Sequence, residues 1–350
     1  MSRTTHLSAP LPARRGGRRA VAALLVSLAL VTAACGGSGD DEAAKGGTET
    51  TAGTGSGTDT TATGPRTFEH AWGSTEIDGV PERIVSLDPQ FTDALLAIGV
   101  TPVAYVTSDL LVDGGITPWQ DDLLDGVEQI DYDGVTYSNQ DVYNAQPDAI
   151  VGTFAIENQQ RYDDLSDIAP TIGSPDPDRE VQRWQDLVTL AGDLVGRPDD
   201  AAKVISDTEA DLEARADELP GLDGKTYTFV NYVPGDALYI VADPDDGASE
   251  AFATLGLTIN PEALAAADGK TGRAKFSLEQ VDLLDADVIL ILANGGDPDD
   301  LIGFDTLRAA KSGAVVELDM LTATALNQPS SLSLPWVLDQ IEPALRKAES

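Results

Sequence analysis

Aromatic rings and guanidinium groups recur in this chain just beyond short apolar runs of strand type. Tyr105 and Trp119 lie on and after 103–106. Phe154 follows 149–152, with Arg161 and Tyr162 beyond it, and Arg179 and Arg183 come after 171–173. In the second half Tyr232 follows 225–231 with Tyr239 close by, Arg273 and Lys275 border 276–281, Asn294 follows 287–292, and Trp336 sits inside 332–336. Aromatic faces cover flat apolar surface, and guanidinium groups donate charge-assisted hydrogen bonds to anionic oxygens. Such a set at strand ends points to a large, flat-sided, partly anionic ligand. Plainer readings stand beside this one: Phe154 or Trp336 as core, Arg183 as surface, Arg161 as the partner of Asp163 or Asp164. Tyr105, Tyr232 and Arg273 are the strongest candidates.

A second constellation is acidic. Asp141, next to Gln140, and Glu279 occupy similar places in the two halves, where a helix begins. Paired carboxylates can hydrolyse glycosides, and an acid at a helix start complements the helix dipole. Nothing nearby supplies the rest of a catalytic site, so docking onto arginines of a partner is the better reading.

What the chain lacks narrows the chemistry. It has one cysteine, Cys35, and two histidines, His6 and His70. Disulfides, thiolate clusters and multi-histidine zinc sites are excluded, and a histidine-based triad rests on His70 alone. The net charge is −37; loss of a leader carrying five arginines and no acid makes it −42. A surface of that sign repels nucleic acid and anionic lipid, and it reads as an adaptation for solubility or salt.

Residues 1–34 have the form of a signal peptide: a basic head, an apolar run at 20–34 too short to span a bilayer, and Ala33-Ala34 before Cys35. Val31-Thr32-Ala33-Ala34-Cys35 resembles a lipobox, which makes Cys35 the expected lipidation site, with Thr32 where leucine is commoner. Residues 35–65 are rich in Gly, Thr, Ala and Asp and nearly devoid of large apolar side chains, so they are expected to be a disordered tether of roughly 30 Å reach.

Beyond the tether, strand-type and helix-type patterns alternate, which gives α/β architecture with largely parallel sheets. The pattern recurs. Asp93–Gly99 matches Glu250–Gly256, acid to glycine at equal spacing, and Ser138–Asp148 matches Ser277–Asp287. Two similar lobes follow, expected at 66–197 and 221–350. Between them, 198–220 opens with Pro198-Asp199-Asp200 and carries Ala201, Ile205, Thr208, Leu212, Ala216 and Leu219 at helical steps. That is a single long helix between two Rossmann-like lobes, with a ligand cleft where the strand ends converge.

The chain resembles the periplasmic-binding-protein family that serves iron–siderophore and cobalamin ABC importers, in its actinobacterial ferric-siderophore branch. The resemblance spans roughly 66–347. It rests on Arg83-Ile84-Val85-Ser86-Leu87, Ile168-Ala169-Pro170-Thr171, Phe276-Ser277-Leu278-Glu279-Gln280-Val281 and the Leu332-Ser333-Leu334-Pro335 ending. It implies a ferric siderophore as ligand rather than cofactor, a shallow cleft that closes little, no direct metal ligand from the protein, a monomer, and no enzymatic activity. It also implies one glutamate per lobe docking on the ABC permease subunits. Glu279 matches that position, while the first lobe has Gln140 with Asp141 adjacent. Heme or cobalamin is the alternative ligand, with Tyr105 or Tyr232 as an axial group for heme. A lipid-anchored hydrolase using His70 and an adhesin or sensor lipoprotein are further alternatives. The sequence leaves the chelator class open.

Overall fold

The structure, a computed structural model, describes residues 64–107, 112, 114–133, 136–179, 181–269 and 272–349. The leader, Cys35 and nearly all of the expected tether lie outside the described residues. No helix among the described residues is long and apolar enough to cross a membrane.

An antiparallel hairpin, β1 (Arg66–His70) and β2 (Gly73–Ile77), opens the fold. Alternate residues Phe68, His70, Thr75 and Ile77 face inward. The Arg66 guanidinium pins the hairpin by donating to the carbonyls of Gly79, Asp193 and Leu194.

The first lobe follows as β3 (Ile84–Ser86), α1 (Pro89–Ala97), β4 (Ala104–Thr107), β5 (Glu128–Asp131), α2 (Asn139–Asn144), β6 (Ala149–Val151), α3 (Gln159–Ser166) and β7 (Thr171–Ile172). Its five strands lie in the order β5-β4-β3-β6-β7, every pair parallel. β3 and β6 are buried throughout, as short apolar runs covered on both faces should be. The lobe closes with α4 (Trp184–Val195), which packs on α1.

The long helix α5 (Pro198–Glu218) has 21 residues, about 32 Å at 1.5 Å per residue. Pro198 stands in its first turn with Asp199 and Asp200, which suit the positive end of the dipole. The stripe expected on it is the face it turns inward: Ala201, Leu212 and Leu219 are buried, and Ile205, Thr208 and Ala216 are half-buried. It packs on α4 of the first lobe and on elements of the second, where Arg215 pairs with Asp339 at 2.7 Å.

The second lobe runs β8 (Thr226–Val233), β9 (Ala237–Val241), α6 (Gly247–Thr254), β10 (Thr258–Ile259), α7 (Pro261–Ala267), β11 (Arg273–Phe276), β12 (Val288–Ala293), α8 (Arg308–Ser312), β13 (Val315–Glu317), α9 (Met320–Asn327) and α10 (Ser333–Ala348). Its sheet has the order β11-β9-β8-β12-β13, and β10 pairs in parallel with the start of β8. β9 is antiparallel to both β8 and β11, so this sheet is mixed, while β8, β10, β12 and β13 keep the parallel pairing expected. A tight turn at Pro234-Gly235 reverses the chain at once, with the Asp236 amide donating to Val233 O at 3.0 Å. A reversal that short forces an antiparallel neighbour.

The sequence repeat has a physical basis. α1 and α6 both end at a glycine in the left-handed region, Gly99 at φ 73° and Gly256 at φ 81°. Asp148 accepts from the Glu82 and Arg83 amides, each at 2.8 Å, ahead of β3. Asp287 accepts from the amide and hydroxyl of Thr226, each at 2.9 Å, at the start of β8. Each aspartate staples the strand it precedes to that strand's parallel neighbour. The repeat breaks in one place: 139–144 is the α-helix α2, whereas Val281–Leu284 is a 3-10 turn.

The two lobes meet along a polar and aromatic seam. Gln90 on α1 donates to Pro329 O at 2.8 Å, and Ser330 donates to Asp93 at 2.6 Å. Trp119 and Trp336 lie with ring centroids 5.1 Å apart. Arg183 pairs with Glu250 at 2.8 Å.

Candidate ligand-binding cleft

All strands of the first lobe point the same way, so their carboxyl ends open on one edge. Leu87, Pro89 and Thr92 stand there beyond β3, Tyr105 and Thr107 on β4, Tyr132 and Tyr137 beyond β5, and Phe154, Glu157 and Arg161 beyond β6. Met320, Thr324 and Gln328, on and just after α9 of the second lobe, form the facing wall. They enclose about 410 Å³. A second hollow of about 470 Å³ adjoins it, lined by Val181, Phe229, Asn231, Tyr239, Val241, Arg273, Leu292 and Asn327. Phe154, Thr324 and Gln328 line both hollows, so one cleft runs between the lobes. Each part falls in the roughly 300–1,000 Å³ range of small-ligand sites.

The cleft is organised in advance. The Arg161 guanidinium lies over the Tyr137 ring, 3.9 Å from its centroid. It donates to the Tyr137 hydroxyl at 3.2 Å and to the Tyr137 carbonyl at 3.1 Å. The hydroxyl in turn donates to Ala155 O at 3.2 Å. Burial pushes the Tyr137 phenol up to about 12, so it stays a neutral donor beside the cation. Tyr105 is buried, and its hydroxyl accepts from Gln129 at 2.9 Å. Burial raises its pKa as well. Phe154 is the opposite case: 49% exposed, it holds an apolar ring against open solvent at the junction of the hollows.

On the other wall Arg273 is clamped from two sides, by Asp246 at 3.0 Å and by Asn327 Oδ1 on α9 at 2.6 Å. The Tyr239 hydroxyl donates to Asp236 at 2.6 Å, and Lys275 reaches over its ring, 5.3 Å from the centroid.

Of the residues singled out from the sequence, Tyr105, Phe154, Arg161, Tyr239 and Arg273 line this cleft. Trp119, Tyr232, Asn294 and Trp336 are not among its lining residues. Trp119 donates from Nε1 to Asp93 at 2.9 Å and packs against Trp336 with the ring planes tilted by 50°, so both indoles are used in the seam. Tyr232 is only 4% exposed; it lies one residue beyond Asn231 on β8, and successive side chains of a strand face opposite ways. Asn294, just past β12, donates to Asn231 Oδ1 at 2.9 Å and so backs a lining residue. Arg179, Arg183 and Lys275 pair with Asp176, Glu250 and Asp236. Arg161, read from sequence against Asp163 or Asp164, points instead to Tyr137. Tyr162 bonds to Thr75 Oγ1 at 3.0 Å behind the cleft.

His70 sits on the hairpin. Its Nδ1 accepts from the Trp72 amide at 3.2 Å, which leaves the proton on Nε2, directed at Thr75 Oγ1 at 3.0 Å. Burial lowers its pKa. It lines neither hollow, so the hydrolase reading has no base in the cleft from this residue.

Gln140, Asp141 and Glu279 are all exposed. Asp141 is in the first turn of α2, capped by Ser138, and Gln140 donates to Asn144 at 2.9 Å. The Glu279 amide donates to Ser277 Oγ at 3.3 Å in the turn before Val281. Tyr132, Tyr137, Glu157, Met320, Thr324 and Gln328 escaped the sequence reading. Asp319, which accepts from the Thr322 amide at 2.7 Å, was the available sign that a helix starts there.

Comparison with known proteins agrees with this geometry. A family profile described as "Periplasmic binding protein" matches residues 84–320. The probable siderophore-binding lipoprotein YfiY of Bacillus subtilis is 30% identical over 185 residues, 52% of this chain and 54% of that protein. This chain thus spans about half the length of that relative. The Fe(3+)-citrate-binding protein YfmC of the same organism is 24% identical over 72% of this chain and 78% of its own length. Among solved structures, Streptococcus pneumoniae PiaA in complex with ferrichrome superposes with a TM-score of 0.69 at 23% identity, covering 81% of this chain and 98% of that one. A periplasmic solute binding protein from Mycobacterium smegmatis gives 0.67 at 24% identity, covering 82% and 99%.

Proposed function

This chain belongs to the periplasmic binding protein family, and on that footing we propose that it is the solute-binding component of an ABC importer for a ferric siderophore. The observation that carries the reading is the preformed aromatic cleft between two α/β lobes, with Arg161 fixed on Tyr137 and aimed into it. Such a ligand arrives with its iron already wrapped by the chelator, so the protein needs apolar faces and a few fixed donors. Tyr105, Tyr132, Phe154 and Tyr239 supply the faces; Arg161, Arg273 and Gln328 supply the polar contacts. The relatives include siderophore-, hydroxamate- and enterobactin-binding proteins, which supports the ligand.

Exposed Glu279 and the Gln140–Asp141 pair would meet arginines of the permease. Cys35, lipidated after removal of 1–34, would hold the protein on the outer face of the cell membrane through the 35–65 tether. Heme is the weaker reading, because the Tyr105 hydroxyl is already bonded to Gln129 and Tyr232 is buried away from the cleft. The lobe boundaries at 197 and 221 fall just after α4 and just before β8, on either side of α5, and belong to the same proposal. The test is quenching of intrinsic tryptophan fluorescence by ferric hydroxamate, catecholate and carboxylate chelates. Micromolar or tighter quenching by at least one is expected; none from all three removes the siderophore reading.

A further inference from the structure

The siderophore reading leaves the chelator class open, and the charge balance of the cleft bears on it. Among the described residues two guanidinium groups line the two hollows, those of Arg161 and Arg273, and one carboxylate does, that of Glu157. Arg273 has its charge matched by Asp246, whose side chain is 1% exposed. Lys275, at the rim beside Tyr239, is matched by Asp236 at 2.7 Å. Arg179 and Arg183, on the segment leading into α4, are matched by Asp176 and Glu250. Among the described residues Arg161 has no ion-paired carboxylate, and Glu157 lines the same hollow. The cleft is therefore close to neutral. Its remaining polar lining is hydroxyl, phenol and amide, among it Thr92, Thr107, Tyr132, Asn231, Thr324 and Gln328.

We infer that the cleft selects an uncharged ferric tris-hydroxamate over anionic ferric catecholates and carboxylates; the inference rests on the siderophore reading above. The chemistry is one of proton counts. Three hydroxamates give up one proton each and cancel the charge of ferric iron. Three catechols give up two each and leave a trianion, and hydroxycarboxylate chelates are likewise anionic. A trianion moved into this cleft would lose water and meet a single unmatched cation, and desolvated charge without compensation is strongly unfavourable. The surrounding chain, at −37, adds repulsion. Neutral hydroxamate oxygens still carry partial negative charge, and one fixed guanidinium with phenol and amide donors is matched to them. The chelator's apolar linkers would cover Phe154, Leu87 and Met320. The residues beyond position 64 that the structure does not describe hold one lysine against three acids, so their sequence offers no hidden excess of cations.

The test is direct titration of the mature protein with ferrichrome, ferric enterobactin and ferric citrate, followed by fluorescence and calorimetry. Ferrichrome is expected to bind at least about 100-fold more tightly than either anionic complex. In Glu157→Lys the preference for ferrichrome over ferric enterobactin should shrink by about tenfold, since one negative charge is replaced by a positive one and the net charge of the cleft rises by about two. Equal or tighter binding of ferric enterobactin or ferric citrate by the wild type overturns the hydroxamate assignment and leaves the siderophore reading standing. An unchanged ratio in Glu157→Lys overturns the claim that cleft charge sets the class. Failure of all three complexes to bind overturns both readings.

Discussion

Replacing Asp93 by Asn should remove a pH dependence from the stability of the protein. Asp93 is buried on α1 at the seam and accepts from Gln120 and Ser330, each at 2.6 Å, and from Trp119 at 2.9 Å. Burial outweighs those bonds and pushes its pKa from 3.8 up to about 6, with some help from the nearby Asp88 charge. A carboxyl that is harder to ionise when folded holds its proton more tightly in the native state. Its contribution to stability is therefore full below about 3.8 and falls away as pH rises through about 6. The whole loss is about 3 kcal/mol, at 1.36 kcal/mol per pKa unit, and about 2 kcal/mol of it falls between pH 4.5 and 7.5. Asn keeps the shape and one acceptor but cannot ionise. Urea unfolding of wild type and D93N at those two pH values isolates the effect, because every other titrating group is shared. The stability difference should move by about 2 kcal/mol in favour of D93N as pH rises. A difference independent of pH would show that Asp93 is not an ionised, desolvated carboxylate at neutral pH, and the account of the seam would fall.

Four other outcomes are expected. Arg161→Ala should weaken siderophore binding about 10- to 100-fold, the worth of a charge-assisted hydrogen bond, and titration by fluorescence would show it. Phe154→Ala should weaken binding by a similar factor with little change in melting temperature, because the ring is half in solvent; a large drop in melting temperature would make Phe154 a core residue instead. Gly247→Ala should destabilise the protein by about 1–3 kcal/mol, since its new methyl would stand 2.4 Å from Gln182 O at the seam; urea unfolding measures this. Glu279→Ala should leave ligand affinity intact and lower uptake by cells, and a loss of affinity would refute the docking role.

How much of this was legible in the sequence follows from how local each feature is. The first lobe was readable because 84–86, 104–106 and 149–151 are short, mostly apolar runs bounded by turn residues, too short for a buried helix and suited to a buried parallel strand. The stripe on α5 was readable for the same local reason. The β8–β9 reversal was missed because only 225–231 reads as a strand from its own pattern, and the apolar run 237–241 beyond Pro234-Gly235-Asp236 was not read as a second one. α9 was missed because its apolar residues are not gathered on one side: Met320 is exposed while Ala323, Ala325 and Leu326 are buried. The facing wall of the first hollow, Met320, Thr324 and Gln328, went with it. Tyr232 was chosen over Asn231 because strand parity cannot be set from one strand alone; the pairing of β8 with β9 and β12 fixes it. Trp119 and Trp336 were chosen for their type, and what occupies them is a contact across 217 positions that no local pattern encodes.

The same seam explains why cleft shape, rather than lobe motion, should govern affinity. Ser330 and Pro329, from the second half, close hydrogen bonds on Asp93 and Gln90 of α1. Arg183 holds Glu250 of α6, and Gln182 O packs on Gly247 with no room for a methyl. α5 lies along both lobes and ties to α10 through Arg215 and Asp339. Parting the lobes by a few ångströms would strip a buried carboxylate of one of its three donors and separate two indoles at once. Each unsatisfied buried group costs about 1–3 kcal/mol, and more when it is charged. A ligand would have to supply that energy from its own contacts before closure added anything to affinity. With Arg161 already seated on Tyr137 and Arg273 already clamped, little remains for closure to organise. Affinity should then respond to side chains on the existing walls, as the Arg161 and Phe154 substitutions would show, and hardly at all to substitutions along the exposed side of α5.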